Sequence, residues 1–235
     1  MATLARSMPQ FGLLMVLIMM PLQMLSGGVT PRESMPTWVQ WAMSLAPTTH
    51  FTELSQAILY RGAGIDVVWP QLLALIGIGA TVTMDLFTLG QKHLLRQPSL
   101  DYAMVGRWLG HLPNLRLIHR PITASPNVPQ ERALGWAAHY LIGLLFAFAL
   151  ALLTSSAPDL VTALRTPLRP TLGQALGFGA ITTLFPFLIL QPCLGAGLAA
   201  RRTPRPNLAR LKSLATHLSF GFGLWLAATL LSAVS

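Results

Sequence analysis

Four ionisable or strongly polar residues lie inside apolar stretches of this sequence: Asp85, His139, Gln191 and His217. Burial of such side chains in lipid is costly, so residues of this kind are functional candidates. Asp85 could stabilise a protonated histidine or orient a neutral one. The group predicts a proton relay, an ion or substrate site, a metal site near Cys193, or hydrogen bonds that only pack helices together.

The sequence lacks the motifs of common enzymes and cofactor sites. Neither a G-x-x-x-x-G-K-[ST] phosphate loop nor a G-x-S-x-G nucleophile elbow occurs. The histidines do not have the H-x-x-x-H or H-E-x-x-H spacing of many zinc sites. We therefore predict no catalytic residue, no cofactor and no metal, and a protein that is not an enzyme.

The four polar residues must be positioned by membrane-spanning helices. Only 10% of the 235 residues are charged and 53% are hydrophobic, whereas about 25% are charged in a typical soluble domain. A span needs about 20 largely apolar residues. The sequence therefore predicts an all-α, polytopic helical membrane protein with about five transmembrane helices, at about residues 8–25, 67–89, 133–154, 172–199 and 213–234.

Two of these stretches carry further signals. Pro186 and Pro192 predict kinks in the fourth stretch, which is long enough to tilt or break. The first stretch has a competing interpretation as a cleaved signal peptide, because Arg6 precedes it and small residues follow it.

The basic residues indicate a direction for the spans. The chain has 16 Lys and Arg against 7 Asp and Glu, and twelve of those 16 fall in alternate loops on one side. Cytoplasmic loops carry the excess of positive charge, so the N-terminus is predicted to be cytoplasmic and the C-terminus extracytoplasmic. The four polar residues then lie in one layer, about 6–12 Å inside the cytoplasmic ends of the spans.

The same charge pattern indicates the partners of the loops. Basic residues beside apolar spans favour anionic lipid headgroups at the cytoplasmic face. No aromatic residues interleave with the basic ones, so we predict no nucleic-acid partner.

Amphipathic helices are predicted outside the spans. In the extracytoplasmic segment, one begins near Pro36 with Trp38 and Trp41 on one face, and another begins near Thr49. In the cytoplasmic loop, an interfacial helix is predicted at residues 100–112.

Ser99 is the predicted cap of this interfacial helix. We expect Arg107 and His111 to face headgroups or water. The alternative is that the helix docks a partner, for which Asp101 and Tyr102 are exposed candidates. The glycines of the later spans predict close helix packing: Gly135, Gly143, Gly173, Gly177, Gly179, Gly221 and Gly223.

The first third of the chain resembles a known family. The stretch LLMVLIMMPLQMLSGGVTPRESMPTWVQWAMSLAPTTHFTELSQAILYRGAGIDVVWPQLLAL is similar to the C-terminal part of a bacterial ABC-2-type transporter permease, and we assign it to residues 1–80. The resemblance implies an export permease, driven by a separate ABC ATPase and completed by further permease spans. The N-terminal spans and ATPase of that family have no counterpart in the sequence.

The remainder resembles a second family. The stretches GIGATVTMDL, PSLDYAMVGRWLGHL, ERALGWAAHYLIG, FPFLILQPCLGAG and ARRTPRPNLARLKSLATHLSFGFGLW are similar to a bacterial membrane-protein family of unknown function. This part covers residues 77–235 and shares the second span with the permease-like part.

These observations predict a transport-related integral membrane component of the bacterial inner membrane, resembling an ABC-2-type export permease. One alternative is a non-transporting membrane scaffold or assembly protein. A less favoured one is an intramembrane enzyme that uses Asp85, His139 and His217.

Overall fold

A computed structural model of the chain describes residues 8–44, 46–94, 101–165 and 168–232. The described residues form helices joined by turns and loops, with no strand among them. They divide into two compact units, with the boundary between Leu75 and Ile76. The prediction of an all-α fold is confirmed.

The first unit contains the two helices that the sequence predicts after the first span. Its elements are α1 (Met8–Leu25), α2 (Thr37–Met43), α3 (Pro47–Arg61) and the start of α4 (Ile65–Leu94). Pro36 directly precedes α2. Gly62 ends α3 in the left-handed conformation, with φ of 57°, which a residue without a Cβ adopts at little cost.

An ion pair joins the turn before α2 to α3. The Arg32 guanidinium binds the Glu53 carboxylate, and the Gln71 side-chain amide donates to the same carboxylate over 3.3 Å. Trp38 and Trp41 are each 74% exposed on α2. Exposed indole rings on a short helix are typical of a membrane interface.

The second unit continues α4 and adds six helices in its described residues. They are α5 (Tyr102–His111), α6 (Glu131–Thr154), α7 (Leu160–Arg165), α8 (Leu172–Thr182), α9 (Gln191–Leu194) and α10 (Pro206–Ser232). The described residues of the two units contain four stretches that are long and apolar enough to cross a membrane: Val67–Leu94, Glu131–Thr154, Leu172–Leu194 and Pro206–Ser232. The chain is a polytopic helical membrane protein.

The first predicted span corresponds to α1. This helix has 18 residues and is about 27 Å long at about 1.5 Å per residue. Within it, Met15–Leu25 forms an apolar helix shorter than the four spans. Four of the five predicted spans are therefore found. The first one, and the direction in which the chain crosses the bilayer, stay predictions.

Aromatic rings and glycines pack the second unit. The ring of Phe146 on α6 lies 6.1–6.2 Å from the rings of Phe178, Phe185 and Phe220, so one side chain joins α6 to the fourth span and α10. Glycines bring neighbouring helices close together: at Gly223, a Cβ would lie 2.7 Å from the Ala80 Cα.

The glycine prediction is confirmed at five of its seven positions. Gly135, Gly143, Gly179, Gly221 and Gly223 face atoms of another helix that leave no room for a Cβ. At Gly173 and Gly177 a Cβ would meet nothing within 4 Å, so the prediction is wrong there.

The fourth span is broken where its prolines predict it. A π-helical segment begins at Pro186, and α9 follows with Pro192 in its first turn. Gly195 then ends the helix with φ of 96°. A Cβ at Gly195 would also lie 2.7 Å from the His119 carbonyl oxygen, and the His119 amide donates to the Cys193 carbonyl over 2.8 Å. The loop between α5 and α6 thus packs on the broken end of this span.

Helix α5, the predicted interfacial helix, packs against α6, and its cap differs from the predicted one. Ser99 lies outside the described residues, and Asp101 caps α5 by accepting from the Ala103 amide over 3.0 Å. Gly106 of α5 meets Gly135 of α6 so closely that a Cβ on either would overlap a carbonyl group of the other helix.

The charged residues of α5 also face protein. Arg107 binds the Glu131 carboxylate through two contacts of 2.8 Å, and His111 is 7% exposed, within 3.0 Å of the Pro126 carbonyl. The expectation that Arg107 and His111 face headgroups or water is wrong, because the glycine contact brings α5 close enough to α6 to form these bonds.

Replacement of Gly106 by alanine should loosen α5 from α6. The added Cβ would overlap the Glu131 carbonyl, and overpacking of this kind costs about 1–3 kcal/mol. The matched control is Gly177→Ala, where nothing lies within 4 Å and alanine is the better helix former by about 1 kcal/mol. We expect thermal unfolding in detergent to occur at lower temperature for Gly106→Ala and at the parent temperature or above for Gly177→Ala.

Candidate functional site

The candidate site lies between α4 and α6, which run antiparallel. Gly143 of α6 leaves space for Thr81 of α4. One helical turn further along each helix, Asp85 and His139 meet, because residues four apart lie on the same helix face. The His139 Nε2 atom is 2.9 Å from the Asp85 Oδ1 atom. A close backbone approach therefore places a carboxylate against an imidazole inside two spans.

Two tyrosine hydroxyls complete the hydrogen bonds of the pair. The Tyr102 hydroxyl lies 3.0 Å from His139 Nε2 and donates to Asp85 Oδ1 over 3.4 Å. The Tyr140 hydroxyl donates to Asp85 Oδ2 over 3.2 Å. The side chains of His139 and Asp85 are 11% and 20% exposed, respectively. Asp85 thus has three polar partners in a largely buried position.

Aromatic rings enclose one side of the pair. The Tyr102 ring stacks on the His139 ring, with centroids 4.3 Å apart and planes at 27°. The Trp136 ring lies 4.5 Å from the Tyr102 ring.

Tyr102 reaches the pair from α5, outside the spans. It is the first residue of α5, and the contact of Gly106 with Gly135 fixes the position of that helix. Burial raises the pKa of Tyr102, and the negative charge of Asp85 raises it further. The phenol therefore stays protonated at physiological pH and acts as a hydrogen-bond donor.

Gln191 and His217 bind elsewhere. The His217 Nδ1 atom is 2.8 Å from the Thr182 hydroxyl oxygen, and that hydroxyl donates to the Gly179 carbonyl over 2.7 Å. The Gln191 amide donates to the Ser213 hydroxyl over 3.2 Å. The structure thus brings Asp85 and His139 into contact, whereas His217 and Gln191 each hydrogen-bond across the contact of the fourth span with α10.

Among the described residues, no three His, Cys, Asp or Glu side chains are close enough to hold a metal ion. The donors around Asp85 are one imidazole and two phenols. The arrangement can accept, share and release a proton without a further ligand.

The sequence pattern did not indicate that Tyr102, Tyr140 and Trp136 belong to this site. A signal exists for two of them, because Trp136, His139 and Tyr140 are spaced at i, i+3 and i+4 and so share one face of a helix. The expectation that Tyr102 is exposed to a partner is wrong, since it is half-buried and bound to the pair. No local pattern shows this, because it depends on how α5 packs against α6.

Two family models match the chain. Residues 74–231 match the family described as "Protein of unknown function (DUF2938)", and residues 1–60 match the family described as "ABC-2 type transporter". The two resemblances found in the sequence are confirmed.

Curated relatives match a third of the chain. The inner membrane transport permease YhhJ of Escherichia coli (strain K12) is 67% identical over 79 residues, which are 34% of this chain and 21% of that protein. The probable multidrug ABC transporter permease YbhR of the same organism is 35% identical over 77 residues, 33% of this chain and 21% of that protein. The chain thus spans about a fifth of the length of these relatives. No solved structure matches.

Replacement of Tyr102 by phenylalanine should destabilise the second unit. The change keeps the ring that stacks on His139 and removes the hydroxyl that bonds to the pair. A lost hydrogen bond costs about 1 kcal/mol, and more when a charged partner stays buried. Tyr60→Phe is the matched control, because Tyr60 is 84% exposed. Thermal unfolding in detergent should occur at lower temperature for Tyr102→Phe, and equal curves for both variants would contradict the assigned network.

Proposed function

We propose that this chain, which belongs to the DUF2938 family, is a transport-related component of the bacterial inner membrane. The observation that carries the proposal is the 67% identity over 79 residues to an inner membrane transport permease. A match of this strength supports a shared role for the matching part. The second unit adds a membrane domain that we do not assign to any reaction.

The exposed surface of α1 supports a partner within the membrane. Leu13, Leu17 and Met20 are 62–70% exposed on this helix, and all three are apolar, so lipid or further helices must cover them. We propose that further permease spans do so and that a separate ABC ATPase drives the assembly. The alternation of basic loops supports a cytoplasmic N-terminus and an extracytoplasmic C-terminus.

Photo-crosslinking in the native bacterium tests this partner. A photoreactive phenylalanine analogue at Leu17 should form an adduct with an ABC-2 permease subunit. The complex, purified in mild detergent, should hydrolyse ATP and should lose that activity when the phosphate-loop lysine of the ATPase is replaced.

The matched control places the same analogue at Leu141. This residue is 51% exposed on α6 of the second unit, and its adducts should be with lipid. If neither a permease subunit nor an ATPase is recovered at Leu17, the transport proposal fails. A stable partner without ATP hydrolysis would favour the scaffold alternative instead.

A further inference from the structure

We propose that Asp85 and His139 form an intramembrane proton-binding site that holds one exchangeable proton between carboxylate and imidazole. This inference concerns the second unit and goes beyond the proposed transport assembly, since it requires neither an ATPase nor further permease spans.

The hydrogen bonds indicate where the proton is held. Asp85 accepts from Tyr102 and Tyr140 and contacts His139 Nε2. An ionised carboxylate only accepts hydrogen bonds, whereas a protonated one would also have to donate. The two tyrosine donors therefore favour an ionised Asp85, and in the proposed site the shared proton is on His139 Nε2, which then donates to Oδ1.

The cost of net charge explains why one proton is bound. A single charge within a span costs at least about 2.5–3.5 kcal/mol. The pair with one shared proton is neutral overall, as an ion pair or as two neutral groups. Loss of the proton leaves a net negative charge and gain of another leaves a net positive charge. The site is therefore most stable with one shared proton, and any charge brought near changes how readily that proton leaves.

Several titratable groups surround the pair. Tyr102 faces it from α5 and Tyr140 from α6. On α10, His217 binds the Thr182 hydroxyl of α8. Arg107 and Glu131 pair with each other between α5 and α6, so their charges largely cancel. The two phenols are the neighbours that bond to the pair directly.

Tyr102 provides a route between the pair and the surface of α5. Its neighbour Asp101 is exposed, and Tyr102 is half-buried. When the pair has lost its shared proton, the Tyr102 hydroxyl gives its proton to Asp85 Oδ1, and the Tyr102 oxygen takes a proton from hydronium on the α5 side. Tyr102 ends as it began, and the pair gains one proton. Because the pKa of Tyr102 is raised by burial and by Asp85, this phenol relays protons and does not store a negative charge.

Labelling with an apolar carbodiimide reports the protonation of Asp85, because this reagent adds to a protonated carboxyl within the membrane to give a stable N-acylurea. We would treat membrane vesicles containing the full chain with dicyclohexylcarbodiimide from pH 5 to pH 8.5 and quantify the Asp85 adduct by mass spectrometry. In the parent chain, labelling should be weak at pH 8 and rise at least threefold by pH 5.5, as the ionised carboxylate gains a second proton for the pair.

The His139→Gln variant separates a proton site from a structural hydrogen bond. Without the imidazole, the proton that neutralises the site must be on Asp85, so labelling at pH 7.5 should be at least threefold above that of the parent. Glu33→Gln is the matched control, since Glu33 is exposed in the first unit. In this variant Asp85 should be labelled to the same extent as in the parent. Asp85→Asn should give no adduct at this position.

Two results would overturn the proposal. Labelling of Asp85 that is independent of both pH and His139 would mean that the pair only packs the helices. Protection of Asp85 by 100 mM sodium chloride, but not by choline chloride, would make it a metal-cation site. If His139→Gln does not fold, ¹⁵N-histidine spectra of the parent decide. A doubly protonated His139 at pH 7 supports the proton site, and a neutral ring throughout pH 5–8 overturns it.

Discussion

A carboxylate within a membrane span must be neutralised or hydrogen-bonded, and this requirement determines much of the local arrangement in the second unit. Asp85 lies on α4 between hydrophobic residues, where water cannot solvate it as it does at a surface. The His139 Nε2 atom lies 2.9 Å from this carboxylate, and the Tyr102 and Tyr140 hydroxyls donate hydrogen bonds to it. The partners come from two helices, α5 and α6, so the position of each of these helices relative to α4 is constrained by one side chain.

This constraint affects the position of helix α5 most. A short amphipathic helix would ordinarily lie in the interface and exchange between orientations. Here Gly106 and Gly135 allow the backbones of α5 and α6 to touch, and the two contacts of Arg107 with Glu131 fix the rotation. Tyr102 then reaches His139 from outside the spans. The glycine contact is thus a condition for the polar network, although neither glycine carries a polar side chain.

The sequence identifies the polar residues within the spans better than it predicts their partners. Hydrophobic periodicity and length identify four spans, and Asp85 and His139 are conspicuous because ionisable residues are rare in such stretches. Gln191 and His217 give the same signal, yet they bind Ser213 and Thr182. Depth follows from position along a helix, whereas the choice of partner follows from the rotation of that helix, which is set by close contacts in three dimensions. The docking of Tyr102 depends on such a contact and has no local pattern.

The two family matches also constrain how the parts of the chain are joined. The match to ABC-2 type transporters covers residues 1–60 and the second match starts at residue 74, so the transition falls at the start of α4, which begins at Ile65. A junction at this place is physically permissible, because a helix satisfies its backbone hydrogen bonds internally whatever sequence follows. The part of α4 that follows the junction must form the face that packs with α6. Gly77, Thr81 and Asp85 form this face at successive turns. Helix α4 can therefore begin with residues suited to the first unit and continue with residues suited to the pair of Asp85 and His139.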